Sequence, residues 1–155
     1  MGLRSFIHRL TAPSMRDIID DGPVKLVLVI NNDLKMGKGK IAAQSGHASV
    51  SATLRAGEHR PSSLDLWLKS GQKKICLKSS YDELIELESK AKADGIQTVR
   101  ITDAGKTQIP SGSLTVIAFG PDNEDKLQSL TGHLKLLLIP PISSMMANWY
   151  NHARV

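Results

Sequence analysis

A segment rich in glycine and lysine, Gly37–Lys40, follows a predicted strand and opens a predicted helix. Backbone N–H groups and the macrodipole at such a helix start favour an anion. The segment is not a P-loop, because that motif needs a glycine where Leu34 stands and Ser or Thr where Ile41 stands. The pattern therefore excludes nucleotide hydrolysis of the P-loop type, although a helix start flanked by Lys38 and Lys40 still favours an anion.

Two segments carry more polar functional groups than connecting loops require. The first is Asn32–Lys40 with its continuation Ala42–Ala48, which contains Gln44 and His47, and the second is Asp103–Val116. Loops at the carboxyl ends of strands gather in one crevice of an α/β sheet, where such folds bind ligands. We therefore predict one site from both segments. The chain has no G-x-S-x-G nucleophile elbow, and its five histidines lack metal-ligand spacing, so we predict neither a metal nor a cofactor.

Elements with alternating strand and helix patterns must position these segments. The predicted strands are Val24–Ile30, Lys74–Lys78, Gln97–Thr102 and Leu114–Phe119, with His133–Ile139 as a candidate edge segment. The predicted helices are Lys38–Arg55, Ser62–Lys69, Ser80–Asp94 and Asp122–Leu130. This alternation predicts one layered α/β domain.

Length, composition and charge limit the class of protein. The 155 residues, 41% of them hydrophobic and 23% charged, are typical of one compact domain. The single cysteine, Cys76, excludes an intramolecular disulfide. No apolar run approaches the ~18 residues of a transmembrane helix, so we predict no membrane span. The net charge of +5 favours a polyanionic partner, although solvated surface lysines explain it equally well, and an aromatic content of 4% disfavours base-stacking RNA modules.

Several dispersed motifs together resemble the archaeal and eukaryotic type of peptidyl-tRNA hydrolase, the second family with this activity. They are the two polar segments together with Gly71–Lys74, Phe119–Pro121 and Thr131–Leu136, in the right order along the chain. The resemblance covers about Val24 to Leu137. It implies a three-layer α/β/α sandwich around a small, mixed four-stranded sheet, and frequent homodimerisation.

The resemblance also implies an activity and its residues. The activity is metal-free hydrolysis, without a cofactor, of the ester that joins a peptide to the 3′ ribose of tRNA, a reaction of translation and ribosome rescue. The partner would be peptidyl-tRNA, bound through its phosphate backbone and 3′ end. Residues implicated in catalysis in the family correspond to Lys35, Asp103, Thr107 and Thr115. The substrate-binding candidates in this sequence are Lys38, Lys40, Gln44, His47, Lys106 and Gln108.

Those residue types suit ester hydrolysis. Attack by water needs a base or positioning group, charge stabilisation at the developing oxyanion and help for the leaving group. We expect Asp103 to position or deprotonate the water. Lys35 would stabilise the oxyanion and lower the pKa of Asp103, or else hold the terminal phosphate. Thr107 and Thr115 would orient the water or the ester through hydroxyl hydrogen bonds.

Structural explanations of these residues stay open. Asp103 before Ala-Gly suits an Asx-turn, and Lys35 suits a solvated loop. His47 is expected to be half-buried on one helical stripe, which consists of Ala43, His47, Val50 and Leu54. Two other functions also stay open, because a fold does not by itself imply an activity. They are a regulatory protein-interaction factor and a non-catalytic tRNA-binding module.

The sequence divides into three predicted parts. Residues 1–23 form a basic amphipathic segment or a flexible tail, and 24–137 form the hydrolase domain. Residues 138–155 form a C-terminal tail. The basic, amphipathic start has the composition of a mitochondrial targeting segment, so the predicted compartment is the cytoplasm or the mitochondrion.

Overall fold

The computed structural model describes residues 22–105 and 109–137 of the chain. Its strands are β1 (Val24–Asn31), β2 (Lys74–Ser79), β3 (Thr98–Thr102), β4 (Leu114–Asn123) and β5 (Lys135–Leu136). Its helices are α1 (Lys38–His59), α2 (Pro61–Lys69), α3 (Tyr81–Ala93) and α4 (Glu124–Thr131), and a 3-10 turn over Asn32–Leu34 follows β1. None of these described helices is long and apolar enough to cross a membrane. The predictions on residues 1–21 and 138–155 lie outside the described residues.

The strands form one mixed sheet in the order β3-β4-β1-β2-β5. β1 and β2 are parallel, whereas β4 is antiparallel to both β1 and β3, and β5 is antiparallel to β2. The predicted α/β class and mixed sheet are confirmed, but the predicted count of four strands is wrong because β5 adds a fifth. β5 lies within His133–Ile139, the candidate edge segment, which the four-stranded count implied by the resemblance leaves out.

β1 is buried along its whole length, as its continuous apolar run predicts. Its residues alternate between two core clusters. Val27 belongs to a cluster that also contains Leu84 of α3 and Leu127 of α4. Leu28 belongs to a second cluster, which contains Trp67 of α2 and residues of α1. β1 therefore supplies side chains to two separate cores.

Helix α1 contacts the sheet through alanines and exposes two of its larger apolar residues, Val50 and Leu54. The fully buried positions recur every fourth residue and are Ala48, Ala52 and Ala56. Val50 is 61% exposed, Leu54 is 66% exposed, and His47 is also exposed. The predicted half-burial of His47 is therefore wrong. Small side chains let the helix backbone approach the strands closely, so residue size rather than hydrophobicity decides which face is buried here.

β4 continues four residues beyond its predicted end. The sequence pattern ended the strand at Phe119 because Gly120-Pro121 is typical of a turn. In the structure Asp122 is a buried strand residue opposite Lys25, so the predicted helix start at Asp122 is wrong. The helix α4 begins at Glu124 instead, after an Asn123 side chain that accepts hydrogen bonds from two backbone N–H groups of its first turn.

Candidate active site

The strand ends bring the two polar segments to one edge of the sheet. β1 ends at Asn31, and its antiparallel neighbour β4 begins at that edge with Leu114. β3 also ends there, at Thr102, so that Asp103 follows directly. The segment after β1 leads into α1, which lies over β4 and β3. Residues far apart in the chain therefore meet at this edge.

A buried ion pair joins Asp103 to α1. The Nζ of Lys40 lies 2.8 Å from Oδ1 of Asp103, and their side chains are only 16% and 5% exposed, respectively. Lys40 occupies the first turn of α1, four residues before Gln44, so both side chains project from one face of the helix. That face continues into the buried alanine stripe, which explains why Lys40 reaches the end of β3.

The turn after β3 holds the Asp103 backbone on both sides. The Asp103 N–H donates to the Ser113 carbonyl at 2.9 Å, and the Asp103 carbonyl accepts from Gly112 N–H at 2.8 Å. The Asp103 carboxylate also accepts a hydrogen bond from Gly105 N–H at 3.3 Å, as in an Asx-turn. Gly105 has a φ of +77°, and a Cβ there would lie 2.6 Å from the Cβ of Ser111. Asp103 is thus both a turn residue and an ion-pair partner, and the turn requires glycine two residues after it.

Thr115 is a fully buried residue near the start of β4. Its Oγ1 donates to the Ile101 carbonyl at 2.9 Å and lies 3.2 Å from Oε1 of Gln44. Both groups accept from the one hydroxyl hydrogen of Thr115, so the hydroxyl donates to one of them at a time. Gln44 therefore links α1 to the start of β4.

A β-bulge places Thr115 towards α1. Ile101 pairs with Val116 and Thr102 pairs with Leu114, so Thr115 is the extra residue on β4. The bulge puts Leu114 in the core cluster of α3 and α4, and Val116 in the cluster of α1 and α2, although they are only two residues apart. Extra residues of this kind re-aim side chains next to functional sites.

The other predicted site residues are exposed or lie outside the described residues. Lys35 is exposed in the connection between β1 and α1, where its backbone is left-handed at a φ of 47°. Lys38 is the exposed first residue of α1, and His47 is exposed further along that helix. The structure gives the contact with Asp103 to Lys40, where the sequence had suggested Lys35. The remaining three candidates, Lys106, Thr107 and Gln108, lie outside the described residues.

Asn31 is a buried residue of this edge that the sequence prediction did not include. Its side-chain Nδ2 donates to the Leu114 carbonyl at 2.9 Å, and its Oδ1 accepts from Asp33 N–H at 3.1 Å. Asn31 is 3% exposed, and it therefore ties the end of β1 to the start of β4. A polar residue that ends an otherwise apolar strand is the signal that could have revealed it.

The remaining reactive groups offer little further chemistry. Burial raises the pKa of the Cys76 thiol, and the nearby Ser45 hydroxyl opposes part of that rise. A raised pKa keeps the thiol protonated and weakly nucleophilic at neutral pH. Within residues 22–105 and 109–137, the side chains of His, Cys, Asp and Glu form no group of three or more that could hold a metal ion.

A known protein family matches the part of the chain that contains these residues. The model of the family described as peptidyl-tRNA hydrolase PTH2 matches residues 24–137, a span that contains the ion pair, Gln44 and Thr115. The chain belongs to this family. The resemblance that the dispersed motifs indicate is therefore confirmed, and the PTH2 match spans every described strand.

Individual PTH2 relatives are similar over most of the chain. A protein of Methanocaldococcus jannaschii named peptidyl-tRNA hydrolase is 49% identical over 115 residues, which cover 74% of this chain and 100% of the relative. A Methanococcus vannielii protein of the same name is 51% identical over 111 residues, covering 71% and 96%. The human protein named peptidyl-tRNA hydrolase 2, mitochondrial, is 48% identical over 118 residues, covering 76% of this chain and 66% of the relative.

Proposed function

We propose that this PTH2-family chain hydrolyses the ester between the peptide and the 3′ ribose of peptidyl-tRNA. Its relatives are named for that substrate, which supports the reaction class. The single observation that carries the proposed site is the buried Lys40–Asp103 pair at the sheet edge. A carboxylate held in one orientation is a suitable base for a water molecule, because general-base catalysis depends first on geometry.

In the proposed reaction, Asp103 accepts a proton from water as the water oxygen bonds to the ester carbonyl carbon. The tetrahedral intermediate then collapses, the bond to the ribose oxygen breaks, and that oxygen takes the proton back from Asp103, which restores the carboxylate. The products are the free peptide acid and tRNA. Lys40 orients the Asp103 carboxylate and balances its charge in a site where an unpaired charge would be costly. Its direct role is therefore positioning rather than phosphate binding.

The exposure of the other residues supports different roles for them. Lys35 is exposed and accessible to a bound substrate, which supports its proposed role at the oxyanion or the terminal phosphate. Thr115 is fully buried with its hydroxyl engaged, which supports positioning through Gln44 instead of contact with the ester. We retain Thr107 as a proposed water- or ester-orienting group. Lys38, Lys106 and Gln108 are retained as proposed ligands of the tRNA, and His47 is exposed on the same helix as Lys38.

Release of the N-acetyl-amino acid from N-acetyl-aminoacyl-tRNA tests this function directly. We expect turnover that resists EDTA, and a kcat at least about 100-fold lower for Asp103→Asn, because general-base catalysis is typically worth 10²–10⁴-fold. Asp125→Asn is the matched control, since Asp125 is exposed at the start of α4. An Asp103→Asn variant that keeps more than about a tenth of the activity would refute the base assignment. A folded wild type that binds tRNA without turnover would favour a binding module.

The layer arrangement, the domain bounds and the compartment predicted from the sequence are proposals as well. A three-layer arrangement is supported by the two core clusters that alternate along β1. A hydrolase domain over 24–137 is supported by the matching span of the family. The word mitochondrial in the names of the human and bovine relatives supports the mitochondrial alternative for the compartment. Ribosome rescue and homodimerisation stay predictions.

A further inference from the structure

A cleft lies at the same edge of the sheet, on the far side of β1 from Asp103. Its volume is about 310 Å³, and it is bounded by the ends of β1 and β2, the start of α3, and β5. Its polar lining residues are Asn32, Lys78, Ser79, Glu83, His133 and Lys135, with Ser80 beside them. None of these residues is among the site residues predicted from the sequence.

The topology of the sheet makes this position a natural binding crevice. β1 and β2 are parallel neighbours that end together, with Asn31 opposite Ser79. The helix after β1 is α1, and it packs in the cluster that contains Leu28. The helix after β2 is α3, and it packs in the other cluster, which contains Val27. The chain therefore leaves two adjacent parallel strands in opposite directions, and α/β sheets bind ligands in the crevice at such a point.

Two lysines face each other across the edge of this cleft. Lys78 of β2 and Lys135 of β5 are direct register partners in an antiparallel pair. Like charges at directly opposite positions destabilise a strand pair. In the described part of the chain, neither ammonium group has a carboxylate within ion-pair distance. An anion bound between them would replace this repulsion with attraction.

The carboxylate in the cleft is already engaged by other groups. Glu83 Oε2 accepts a hydrogen bond from the Ser79 hydroxyl at 2.8 Å, and Glu83 Oε1 lies 3.3 Å from Nε2 of His133. The first N–H group of α3, on Tyr81, donates to the Asp33 carboxylate at 2.8 Å. The helix start is therefore occupied, and the two lysines are the groups that would attract an anionic ligand.

We propose that this cleft binds a phosphodiester of the single-stranded 3′ end of tRNA. The inference rests on the proposed function, because it takes the ester to lie at Asp103. The ends of β3 and β2 are three strand spacings apart, or about 14 Å, given the usual distance between neighbouring strands. An ester group does not span that distance, whereas a short stretch of polynucleotide does. Lys78 and Lys135 would hold one phosphate of that stretch, and the Asn32 amide and Ser80 hydroxyl offer further hydrogen bonds.

Equilibrium binding of fluorescently labelled, deacylated tRNA tests the cleft without any hydrolysis. The variant is Lys78→Gln/Lys135→Gln, and the control is Lys90→Gln/Lys126→Gln, which removes the same charge from exposed lysines outside the cleft. We expect about tenfold weaker binding than the control, and a salt-dependence slope lower by about 0.7, the value for one phosphate contact on a single strand. Binding equal to that of the control would overturn the proposal. Lys78→Arg/Lys135→Arg keeps both charges, so it should bind like wild type.

Steady-state kinetics on two esters tests which part of the substrate the cleft holds. For N-acetyl-aminoacyl-tRNA we expect Lys78→Gln/Lys135→Gln to raise KM about tenfold with little change in kcat, the pattern of a lost binding contact. For the N-acetyl-aminoacyl ester of adenosine, which has no phosphate, we expect both constants to be unchanged. An equal loss on both esters would overturn the phosphate assignment and favour a peptide subsite or a structural role.

Two further outcomes separate this inference from the proposed function. If wild type hydrolyses neither ester but the tRNA-binding difference persists, the hydrolase proposal fails and the phosphate cleft stands. If millimolar inorganic phosphate at constant ionic strength binds wild type and not the Lys78→Gln/Lys135→Gln variant, yet leaves tRNA binding to wild type unchanged, the cleft is a free-phosphate site and its assignment to the tRNA 3′ end is overturned.

Discussion

Replacing Lys40 with methionine would test whether Asp103 depends on the ion pair that the structure assigns to it. Lys40→Met keeps most of the aliphatic length and removes the ammonium group. At an N–O distance of 2.8 Å, the attraction is about 6 kcal/mol for an effective dielectric constant of about 20. The cost of burying both charges offsets part of this attraction. Removing one partner of a buried pair typically costs about 3–5 kcal/mol, because the other charge is left buried and unpaired.

We expect Lys40→Met to lower the free energy of unfolding by about 3 kcal/mol at pH 7, the lower end of that range. Lys40 is 16% exposed and the Asp103 carboxylate keeps the Gly105 hydrogen bond, so water and backbone compensate in part. The double variant Lys40→Met/Asp103→Asn removes the stranded charge as well. It should therefore be more stable than Lys40→Met alone, with a coupling of about 2 kcal/mol in the double-mutant cycle.

Urea denaturation followed by circular dichroism measures these differences, and Lys126→Met serves as an exposed-lysine control. In the hydrolysis assay, a positioning role predicts a kcat at least about tenfold lower with a nearly constant KM. The phosphate-binding role suggested by the sequence predicts the reverse, a raised KM with kcat unchanged. A Lys40→Met variant within about 0.5 kcal/mol of wild type, the range of ordinary surface substitutions, would refute the reasoning from the ion pair.

Two further predictions concern stability. The Arg100 guanidinium hydrogen-bonds the buried Glu88 carboxylate and, with Lys92, holds the pKa of Glu88 below its ordinary value, while burial opposes this shift. A lowered carboxyl pKa stabilises the fold above the unfolded-state pKa, and this stabilisation is lost as pH falls through the folded-state pKa. Arg100→Met should therefore cost about 1–2 kcal/mol at pH 7 and progressively less below pH 4.5 in urea titrations. A cost independent of pH would contradict this assignment. Leu54→Ser should change stability by less than about 0.5 kcal/mol, whereas Ala52→Leu should cost about 1–3 kcal/mol by overpacking. Thermal melts of both variants check this contrast, and a large loss in Leu54→Ser would mean that the outer face of α1 is covered.

The comparison of sequence and structure is clearest for helix α1. Small residues and helical spacing predicted the helix, and its start at Lys38 is confirmed. The half-burial of His47 was predicted wrongly, because a helix with few large side chains has no strong apolar stripe to indicate which face is buried. The alanine face packs against β4 and β3, and this packing also turns Lys40 and Gln44 towards the sheet.

In the β4 strand, the sequence likewise did not reveal the orientation of a single residue, Thr115. Its apolar run predicted a buried strand, which is confirmed over Leu114–Phe119. The bulge at Thr115 depends on how β4 pairs with β3, and this pairing is not visible in a local pattern of side chains. The orientation of Thr115 towards Gln44 was therefore beyond sequence analysis, even though Thr115 itself was a predicted site residue.

The sequence by itself determined the α/β class, most element positions and the family, because these depend on local apolar periodicity, breaker residues and motifs in order along the chain. Tertiary structure alone decided that Asp103 pairs with Lys40, 63 residues away, and that Lys78 opposes Lys135 at the edge of a cleft. Such contacts depend on the order of the strands, on the rotation of α1 about its axis and on strand register. Those quantities arise only when distant segments pack together.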